Sequence, residues 1–498
     1  MRRSAAVLLP ISSLYGEFGI GVLGAEAVDF LDFLDRCGFR GWQILPVEHP
    51  DESFSPYKSV SAFAGNPLLI DPRRLLEMGL ISGQELDARA EGLSPFSVDY
   101  HEVSERQTVV LKLAYSRLQG ELLKVCEAFE PSWLANYALY MALREDQGGR
   151  PWFEWEDTGL RRCETKAVEA ARARLSRQVG YYRFTQWLFY EQWQALRNAA
   201  SERGISIIGD MPMYISEDSA DVWAERGIFE VDDAGELSAV AGVPPDYYAQ
   251  DGQRWGNPLY NWEQMSRDNY AWWVRRMRES IARYDLVRID HFRAFQSYYA
   301  IPADSLSARD GQWLPGPGIA PFRAMEKALG ELPVFAEDLG LIDKAVYELR
   351  DSLGFIGMRV LQFGFLGEDG GHLPHQYTEN IAAYTGTHDN TTLLACFYDM
   401  DDATRDYALR YCGFDGDWTV GGPGAPLFEA WFRMMLASRA ALVVTPIQDM
   451  LCFGADTRTN VPGTATGNWR FRVTRDSILE LDTGHVRELL ELFDRTSG

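Results

Sequence analysis

The apolar residues of this chain occur in short runs, and longer amphipathic segments separate most of these runs. The runs predict eight strands, at residues 5–9, 40–47, 205–209, 286–290, 333–337, within 355–363, 381–387 and 441–446. The first amphipathic segment predicts a helix over residues 25–37, which ends before Gly38. Strands that alternate with helices are typical of two folds, the closed (β/α)8 barrel and the open doubly wound sheet.

Charged residues follow several of the predicted strands and favour the barrel. Asp290, Glu337 and Asp389 each close a short apolar run, and the three runs lie far apart in the chain. The carboxyl ends of all strands in a (β/α)8 barrel meet at one face, which is where such barrels carry their chemistry. We therefore predict an α/β fold, a (β/α)8 TIM barrel in which residues 1–498 form one catalytic unit.

Three long segments interrupt the alternation of strands and helices. Residues 51–185 start with a polar, turn-rich loop and then show helical patterns, so we predict a mostly helical inserted subdomain. Residues 211–260 are rich in Gly and Pro and predict an irregular loop at the active site. Residues 390–440 predict a helical insertion between strands seven and eight. After strand eight too little chain remains for a C-terminal β-sandwich domain.

Composition and charge narrow the class of protein. The formal net charge of −24 argues against nucleic acid or an anionic membrane as a partner. The six cysteines form no C-x-x-C pair, which predicts neither a disulfide framework nor a zinc site and favours a cytoplasmic location. The first apolar run stops at Pro10, too early for a signal peptide, and no stretch approaches the length of a membrane span.

The three acids fit the chemistry of a retaining glycosidase, which needs one ionised and one protonated carboxyl group. Arg288 and Asp290 share one face of a strand, so we expect the guanidinium to lower the pKa of Asp290 and keep it ionised as a nucleophile. The apolar approach to Glu337 predicts a raised pKa, as a general acid requires. Asp389 and His388 are candidates for binding sugar hydroxyls. The alternative is that these groups are structural ion pairs at strand ends.

Other chemistries have weaker support. Residues 19–24 match G-x-G-x-x-G, but about nine residues separate them from the preceding strand, so a turn before the helix is favoured over a dinucleotide site. His372 and His375 are three residues apart, but Pro374 disrupts a helical ligand pair. The chain has no G-x-S-x-G elbow and no P-loop. We predict no metal and no cofactor.

Several longer motifs resemble the 4-α-glucanotransferases called amylomaltases or disproportionating enzymes, which form glycoside hydrolase family 77 of the α-amylase clan. The motifs lie at residues 55–67, 209–212, 218–224, 252–258, 288–293, 336–340 and 386–390. The likeness extends over nearly the whole chain. Two residues depart from the pattern: Ala294 stands where glycine is common, and Phe471 stands where tryptophan is frequent.

The resemblance implies a role for each candidate residue. Asp290 is the expected nucleophile, Glu337 the acid/base and Asp389 the stabiliser of the transition state. The residues expected to bind sugar are Arg288, His291 and His388 at the cleavage point, Tyr57 as a stacking surface, Trp255 on the acceptor side, and Asp210, Ser55 and Gln253. For Ser55 and Gln253 a purely structural role is an equal alternative.

The resemblance also implies the reaction. The enzyme is expected to cleave an α-1,4-glucan, hold one fragment as a covalent ester on Asp290, and pass it to the 4-hydroxyl of another glucan. The expected partners are maltodextrins, amylose and glycogen-derived glucans, with glucose as an acceptor. Two alternatives are a hydrolase of the same clan and an inactive glucan-binding protein, and the products formed from maltotriose distinguish all three.

Overall fold

The computed structural model describes residues 3–232, 234–245, 251–367 and 370–496. The strands in this part of the chain are β1 (Ser4–Leu8), β2 (Gly41–Gln43), β3 (Ser206–Met211), β4 (Ala239–Val243), β5 (Gln253–Pro258), β6 (Leu286–Ile289), β7 (Ser297–Pro302), β8 (Gln312–Pro315), β9 (Val334–Ala336), β10 (Gly357–Val360), β11 (Ile381–Tyr384) and β12 (Leu442–Pro446). They form one sheet of eight strands and one of four.

The larger sheet is the predicted barrel. Its strands run in the order β10-β11-β12-β1-β2-β3-β6-β9, and every pair is parallel. The backbone N–H of Ala336 donates to the carbonyl of Ile356 at 3.0 Å, which joins the end of β9 to the start of β10. The eight strands therefore form a nearly closed (β/α)8 barrel, as predicted, and the open sheet is excluded.

Alternate residues of the barrel strands point into its interior, since side chains of a strand alternate between its two faces. The interior side chains are those of Ala6, Leu8, Leu45, Ile208, Phe335, Met358, Val360, Ala382, Tyr384, Leu442 and Val444. Gly41 also faces this space, where an added Cβ would lie 2.8 Å from the Cβ of Ala6. The outward faces pack against the helices and complete a much larger core.

The helices surround the barrel and fill its insertions. They are α1 (Ala25–Cys37), α2 (Arg73–Glu77), α3 (Gly83–Ala90), α4 (Tyr100–Ser116), α5 (Gly120–Ala128), α6 (Leu134–Asp146), α7 (Thr158–Arg161), α8 (Thr165–Arg174), α9 (Ser176–Glu202), α10 (Ala220–Ala224), α11 (Trp262–Arg267), α12 (Ala271–Arg283), α13 (Ala320–Leu329), α14 (Lys344–Ser352), α15 (Leu361–Phe365), α16 (Leu393–Asp399), α17 (Asp402–Cys412), α18 (Pro426–Ala437), α19 (Ile447–Met450), α20 (Arg475–Leu479) and α21 (Thr483–Leu492). After β12 the described chain contains only short helices and irregular segments.

Helix α1 has the predicted bounds because its end is encoded locally. Gly38 adopts a left-handed conformation with φ of 86°, and its N–H donates to the carbonyls of Leu34 and Asp35. The amphipathic segment before β6 forms two helices, α11 and α12, and not one continuous helix. Asn269 and Tyr270 both have φ of 57° and break the helix between them, which the periodicity of apolar residues did not reveal.

The domain limits predicted from sequence remain predictions. Helices α4, α5, α6 and α8 lie within the predicted insertion of residues 51–185, and α16, α17 and α18 lie within residues 390–440. Residue 185 falls inside α9, whose 27 residues pack against both α6 and the barrel helix α1. This single helix therefore connects the insertion rigidly to the barrel.

The prediction that residues 211–260 form an irregular loop was wrong in part, because the structure places the strands β4 and β5 in this segment. Strands β4 and β5 pair as an antiparallel hairpin and continue into β7 and β8 as a four-stranded sheet. Gly242 permits this pairing, since a Cβ there would lie 2.2 Å from the carbonyl oxygen of Gln253. The glycine at this position therefore allows two strands to pair closely and does not mark a loop. Residues 246–250 of this segment lie outside the described residues.

Candidate active site

A cleft of about 1430 Å³ lies at the carboxyl ends of the barrel strands. Ten of the eleven site residues predicted from sequence line it: Ser55, Tyr57, Gln253, Trp255, Arg288, Asp290, His291, Glu337, His388 and Asp389. The remaining one, Asp210, is 1% exposed and lies beneath the lining. The barrel thus brings together residues that are more than three hundred positions apart in the sequence.

Arg288 joins two carboxylates at the base of the cleft. Its Nη1 donates to Asp210 Oδ2 at 2.7 Å, and its Nη2 lies 3.0 Å from Asp290 Oδ1. The Tyr57 hydroxyl also donates to Asp210 Oδ2, at 2.7 Å. Asp210 and Arg288 are adjacent because β3 and β6 pair with these two residues in register. A buried arginine between two acids is held in one orientation by both of them.

The pKa of Asp290 shifts in the direction opposite to the prediction. Burial raises it to about 8, and the nearby carboxylates of Asp210, Glu337 and Asp389 add to this effect. Arg288 lowers it, as expected from the sequence, but does not outweigh burial. The expected lowering of the pKa by Arg288 is present, but burial and the three further acids that converge on the same space outweigh it.

Glu337 follows β9 and is held by backbone N–H groups. The N–H of His291 donates to Oε2 at 2.8 Å, and the N–H of Leu339 donates to Oε1 at 2.7 Å. His291 has φ of 50°, a left-handed conformation that is unfavourable for a residue with a side chain. This turn directs its N–H at Glu337, one residue after Asp290. Burial raises the pKa of Glu337, as predicted.

His291 forms one wall of the cleft together with Trp255. The two rings meet edge to face, with centroids 4.8 Å apart and planes at 86°. Burial lowers the pKa of His291 to about 3, so the imidazole is neutral at physiological pH. Its Nε2 has no hydrogen-bond partner among the described residues, and neither does Asp210 Oδ1. Unpaired buried polar atoms are costly and are typical of sites that bind a polar ligand.

Asp389 also lines the cleft, beside two stacked rings. His388 Nε2 is 3.4 Å from Asp389 Oδ2, and the His388 ring stacks on Tyr57 with centroids 5.0 Å apart. Trp469 contacts both rings, at 5.7 Å from Tyr57 and 5.9 Å from His388. Burial lowers the pKa of His388. This wall is therefore a neutral aromatic surface that ends in one carboxylate.

Two residues that hold Asp389 were not assigned a role from the sequence. Asn460 Nδ2 donates to Asp389 Oδ1 at 2.6 Å, and Arg458 Nη2 donates to the Asp389 carbonyl at 2.5 Å. The backbone N–H of Asn460 also donates to the His388 carbonyl at 3.1 Å. These contacts join segments about seventy residues apart, so no local pattern in the sequence predicts them.

Ser55 and Gln253 have mainly local contacts. The Ser55 hydroxyl oxygen accepts from the N–H of Tyr57 at 3.4 Å, and Gln253 Oε1 accepts from Trp255 Nε1 at 3.1 Å. Each therefore positions a neighbouring aromatic residue, whatever else it binds. Among the described residues, no group of three His, Cys, Asp or Glu side chains is arranged to hold a metal ion.

Carboxyl groups that converge at the ends of four barrel strands, β3, β6, β9 and β11, are typical of a class, the (β/α)8-barrel enzymes that act on glycosidic bonds. A family model described as 4-α-glucanotransferase matches residues 9–477 of the chain. The chain belongs to the 4-α-glucanotransferase family, and it is an enzyme of this type: a transferase, not a hydrolase.

Individual relatives match over nearly their whole lengths. The 4-α-glucanotransferase of Streptococcus pneumoniae serotype 4 is 42% identical, over 99% of this chain and 98% of the relative. That of Thermus thermophilus is 41% identical, over 99% of each chain. The solved structure of amylomaltase from Streptococcus agalactiae in complex with acarbose is 37% identical, with a TM-score of 0.95, and the match covers 99% of this chain and 100% of that one.

None of the helices in the described part of the chain combines the length and apolar character needed to cross a membrane. All six cysteines, Cys37, Cys126, Cys163, Cys396, Cys412 and Cys452, are free thiols.

Proposed function

We propose that this 4-α-glucanotransferase acts on α-1,4-glucans by a retaining double displacement, with a covalent glucosyl ester on Asp290. The observation that carries the proposal is the pairing of Arg288 with Asp290 beside Glu337. The carboxyl group of Glu337 is held by the backbone N–H of His291, the residue that follows Asp290. One turn of the chain thus positions a carboxylate nucleophile against a second acid, as a retaining mechanism requires.

The protonation of the two acids follows from their surroundings. Burial raises the pKa of both Asp290 and Glu337, so the pair retains a proton near neutral pH. Arg288 contacts Asp290, at 3.0 Å, and favours the charge on that residue. With a donor glucan bound, we assign this proton to Glu337, which must protonate the leaving oxygen, and the negative charge to Asp290, which must attack. Two coupled acids in one site therefore take opposite roles, one ionised and one protonated.

In the first step an oxygen of Asp290 attacks the anomeric carbon of the donor glucan. The bond from that carbon to the glycosidic oxygen breaks, and Glu337 gives its proton to the departing oxygen, which becomes the 4-hydroxyl of the released fragment. In the second step ionised Glu337 takes the proton from the 4-hydroxyl of the acceptor, whose oxygen attacks the same carbon. The ester bond breaks, Asp290 is ionised again, and the configuration of the bond is retained.

The other site residues bind sugar or hold those that do. Asp389 and His388 face the transition state, with Asn460 keeping the carboxylate in place. His291 offers its unpartnered Nε2 to a hydroxyl group. Tyr57 stacks on a sugar ring, with Ser55 at its backbone. Asp210, beneath the lining, acts mainly by orienting Arg288 and Tyr57.

Trp255 lies on the side of the cleft that receives the acceptor glucan, and its indole N–H donates a hydrogen bond to Gln253. Water competes with the acceptor for the ester, so transfer needs the acceptor to be held in attack geometry. A half-buried indole packed against His291 supplies a rigid apolar face for this purpose. We also propose that maltodextrins and free glucose act as acceptors, and that amylose and glycogen-derived glucans act as donors. The free cysteines support a reducing cytoplasm as the location.

Maltotriose as sole substrate tests the proposal. The wild-type enzyme should form glucose and a ladder of longer maltodextrins, with few new reducing ends. A steady rise in reducing ends with only shorter products would indicate a hydrolase. No reaction at all would indicate a glucan-binding protein. The matched control is Asp290→Asn, which keeps the shape of the side chain and should form no ladder.

A further inference from the structure

One tryptophan on the cleft wall has no part in the chemistry described above. Trp313 lies on β8, opposite Tyr299 of β7, and lines the same cleft as Glu337. It is 38% exposed, more than any other tryptophan of the chain, whereas seven tryptophans are buried to 1% or less. A large aromatic ring left open to a carbohydrate cleft is typical of a sugar-binding surface.

Arg293 holds one face of this indole ring. The guanidinium carbon lies 3.7 Å from the ring centroid, a close cation–π contact. The Arg293 side chain is only 8% exposed, and it donates from Nη1 to the carbonyl of Leu341 and from Nη2 to Ser297 Oγ at 3.2 Å. The ring is therefore fixed before any ligand arrives, which reduces the entropy lost on binding.

The position of Trp313 relative to Glu337 indicates which sugar it meets. Leu341 lies on the loop that follows Glu337, and Arg293 is two residues after His291. The stacked pair is thus anchored to the loops on either side of the proposed general acid. Glu337 protonates the leaving fragment and later deprotonates the acceptor, so both occupy this side of the cleaved bond. An acceptor longer than one ring extends along this wall.

We infer that Trp313 is a stacking platform for a second or later glucose ring of the acceptor glucan, and that it favours maltodextrins over free glucose as acceptors. This assignment rests on the proposed function. The flat apolar face of the indole matches the apolar face of a pyranose ring, while the charged Arg293 stays on the opposite side. Free glucose, which fills only the attacking position, gains nothing from this surface.

The test uses α-maltotriosyl fluoride as donor, because its leaving group occupies no acceptor position. Transfer is measured to glucose and to maltotriose in wild type, Trp313→Ala and Trp313→Phe. Loss of one stacked ring should raise the KM for maltotriose about tenfold in Trp313→Ala. The KM for glucose and the release of fluoride without acceptor should stay within about twofold of wild type. Trp313→Phe, which keeps a smaller ring, should be intermediate for maltotriose.

Trp418 provides the matched control. It also carries an arginine on its ring, with Arg405 4.8 Å from the centroid, but it does not line the cleft. Trp418→Ala should leave both KM values unchanged. If Trp313→Ala raised both KM values equally, Trp313 would only support the wall and the assignment would be overturned. If wild type released no fluoride, the proposed function itself would fail first.

Discussion

The two sheets of this protein supply different parts of one cleft. The barrel presents buried charges: Asp210 and Arg288 are 1% and 4% exposed, and their contacts fix Asp290 from below. The four-stranded sheet presents partly exposed aromatic rings, Trp255 from β5 and Trp313 from β8. The buried charges suit bond breaking, where orientation and protonation must be controlled. The exposed rings suit the selection of the glucan that accepts the fragment.

This division follows from where each sheet is exposed to water. The strand ends of the barrel are surrounded by other strands, so a charge placed there is desolvated and must be paired. The small sheet packs by one face against the main hydrophobic core, and residues of both its edge strands, β5 and β8, line the cleft, where rings remain accessible. Changes in the barrel should therefore affect every reaction, whereas changes in the small sheet should affect the fate of the fragment.

The largest effect is expected at the two acids. Asp290→Ala and Glu337→Gln should each lower transfer from maltodextrins by at least about 10⁴-fold, because each removes an obligatory bonding or proton-transfer group. With α-glucosyl fluoride, whose leaving group needs little protonation, Glu337→Gln should still form the glucosyl ester, and Asp290→Ala should not. Mass spectrometry of the intact protein measures the ester. Trapping of an ester by Asp290→Ala alone would reverse the two assignments.

The next effect is expected at the arginine between the acids. Arg288→Lys should lower kcat by about 10²–10³-fold, since one ammonium cannot hold Asp210 and Asp290 at the same time. Arg283→Lys is the matched control, because Arg283 forms a buried ion pair with Glu48 away from the cleft. That variant should lose thermal stability but keep its rate per folded molecule. Equal losses of rate in both variants would mean that Arg288 is only structural.

A smaller effect is expected on the small sheet. Trp255→Ala should lower transfer more than ester formation, so that the ratio of hydrolysis to transfer rises about tenfold, the value of 1.4 kcal/mol in relative barrier heights. Fluoride release and new reducing ends, measured together with α-maltotriosyl fluoride and maltotriose, report this ratio. If both reactions fell by one factor and the melting temperature fell too, Trp255 would be an anchor of β5.

The smallest effect concerns stability against pH. The folded pKa of Asp290 is raised to about 8, above its ordinary range near 4, so folding favours the protonated form. Because Asp290 and Glu337 share one proton near neutral pH, this stabilising contribution belongs to the pair: it is complete below about pH 4 and is lost as the last proton leaves near pH 8. Asp290→Asn should therefore be more stable than wild type by about 1–3 kcal/mol at pH 8 and equal at pH 4. Urea unfolding at both values measures this difference.

Arg288→Asn offers a contrast in the same experiment. Removal of the arginine leaves Asp210 and Asp290 without their shared cation, so stability at pH 8 should fall. Stability differences for Asp290→Asn that did not depend on pH would contradict a raised pKa. The proposed sharing of one proton between Asp290 and Glu337 would then have no support.

The sequence by itself determined the barrel fold and the face of the barrel, at the carboxyl ends of its strands, that carries the site. Short apolar runs, Gly38 after the first helix and acids after three strands are local signals, and each reports a local cause: burial, a left-handed cap, or a strand reaching solvent. The family motifs extended this to the roles of the acids, which remain to be tested. What periodicity missed were the strands β4 and β5, since Gly242 is required by its close pairing with β5 and since β4 is also paired with β7, which comes much later in the chain.

Only the tertiary structure decided the electrostatics of the site. The pKa of Asp290 depends on carboxylates from three other strand ends, and its rise could not be read from Arg288 alone. The hydrogen bond from Asn460 to Asp389 likewise joins segments that are far apart in the sequence, and the stacking of Arg293 on Trp313 depends on the pairing of β7 with β8. Such contacts depend on how the strands assemble, which sets distances that no local stretch of sequence encodes. Long-range charge and ring contacts are therefore properties of the fold as a whole.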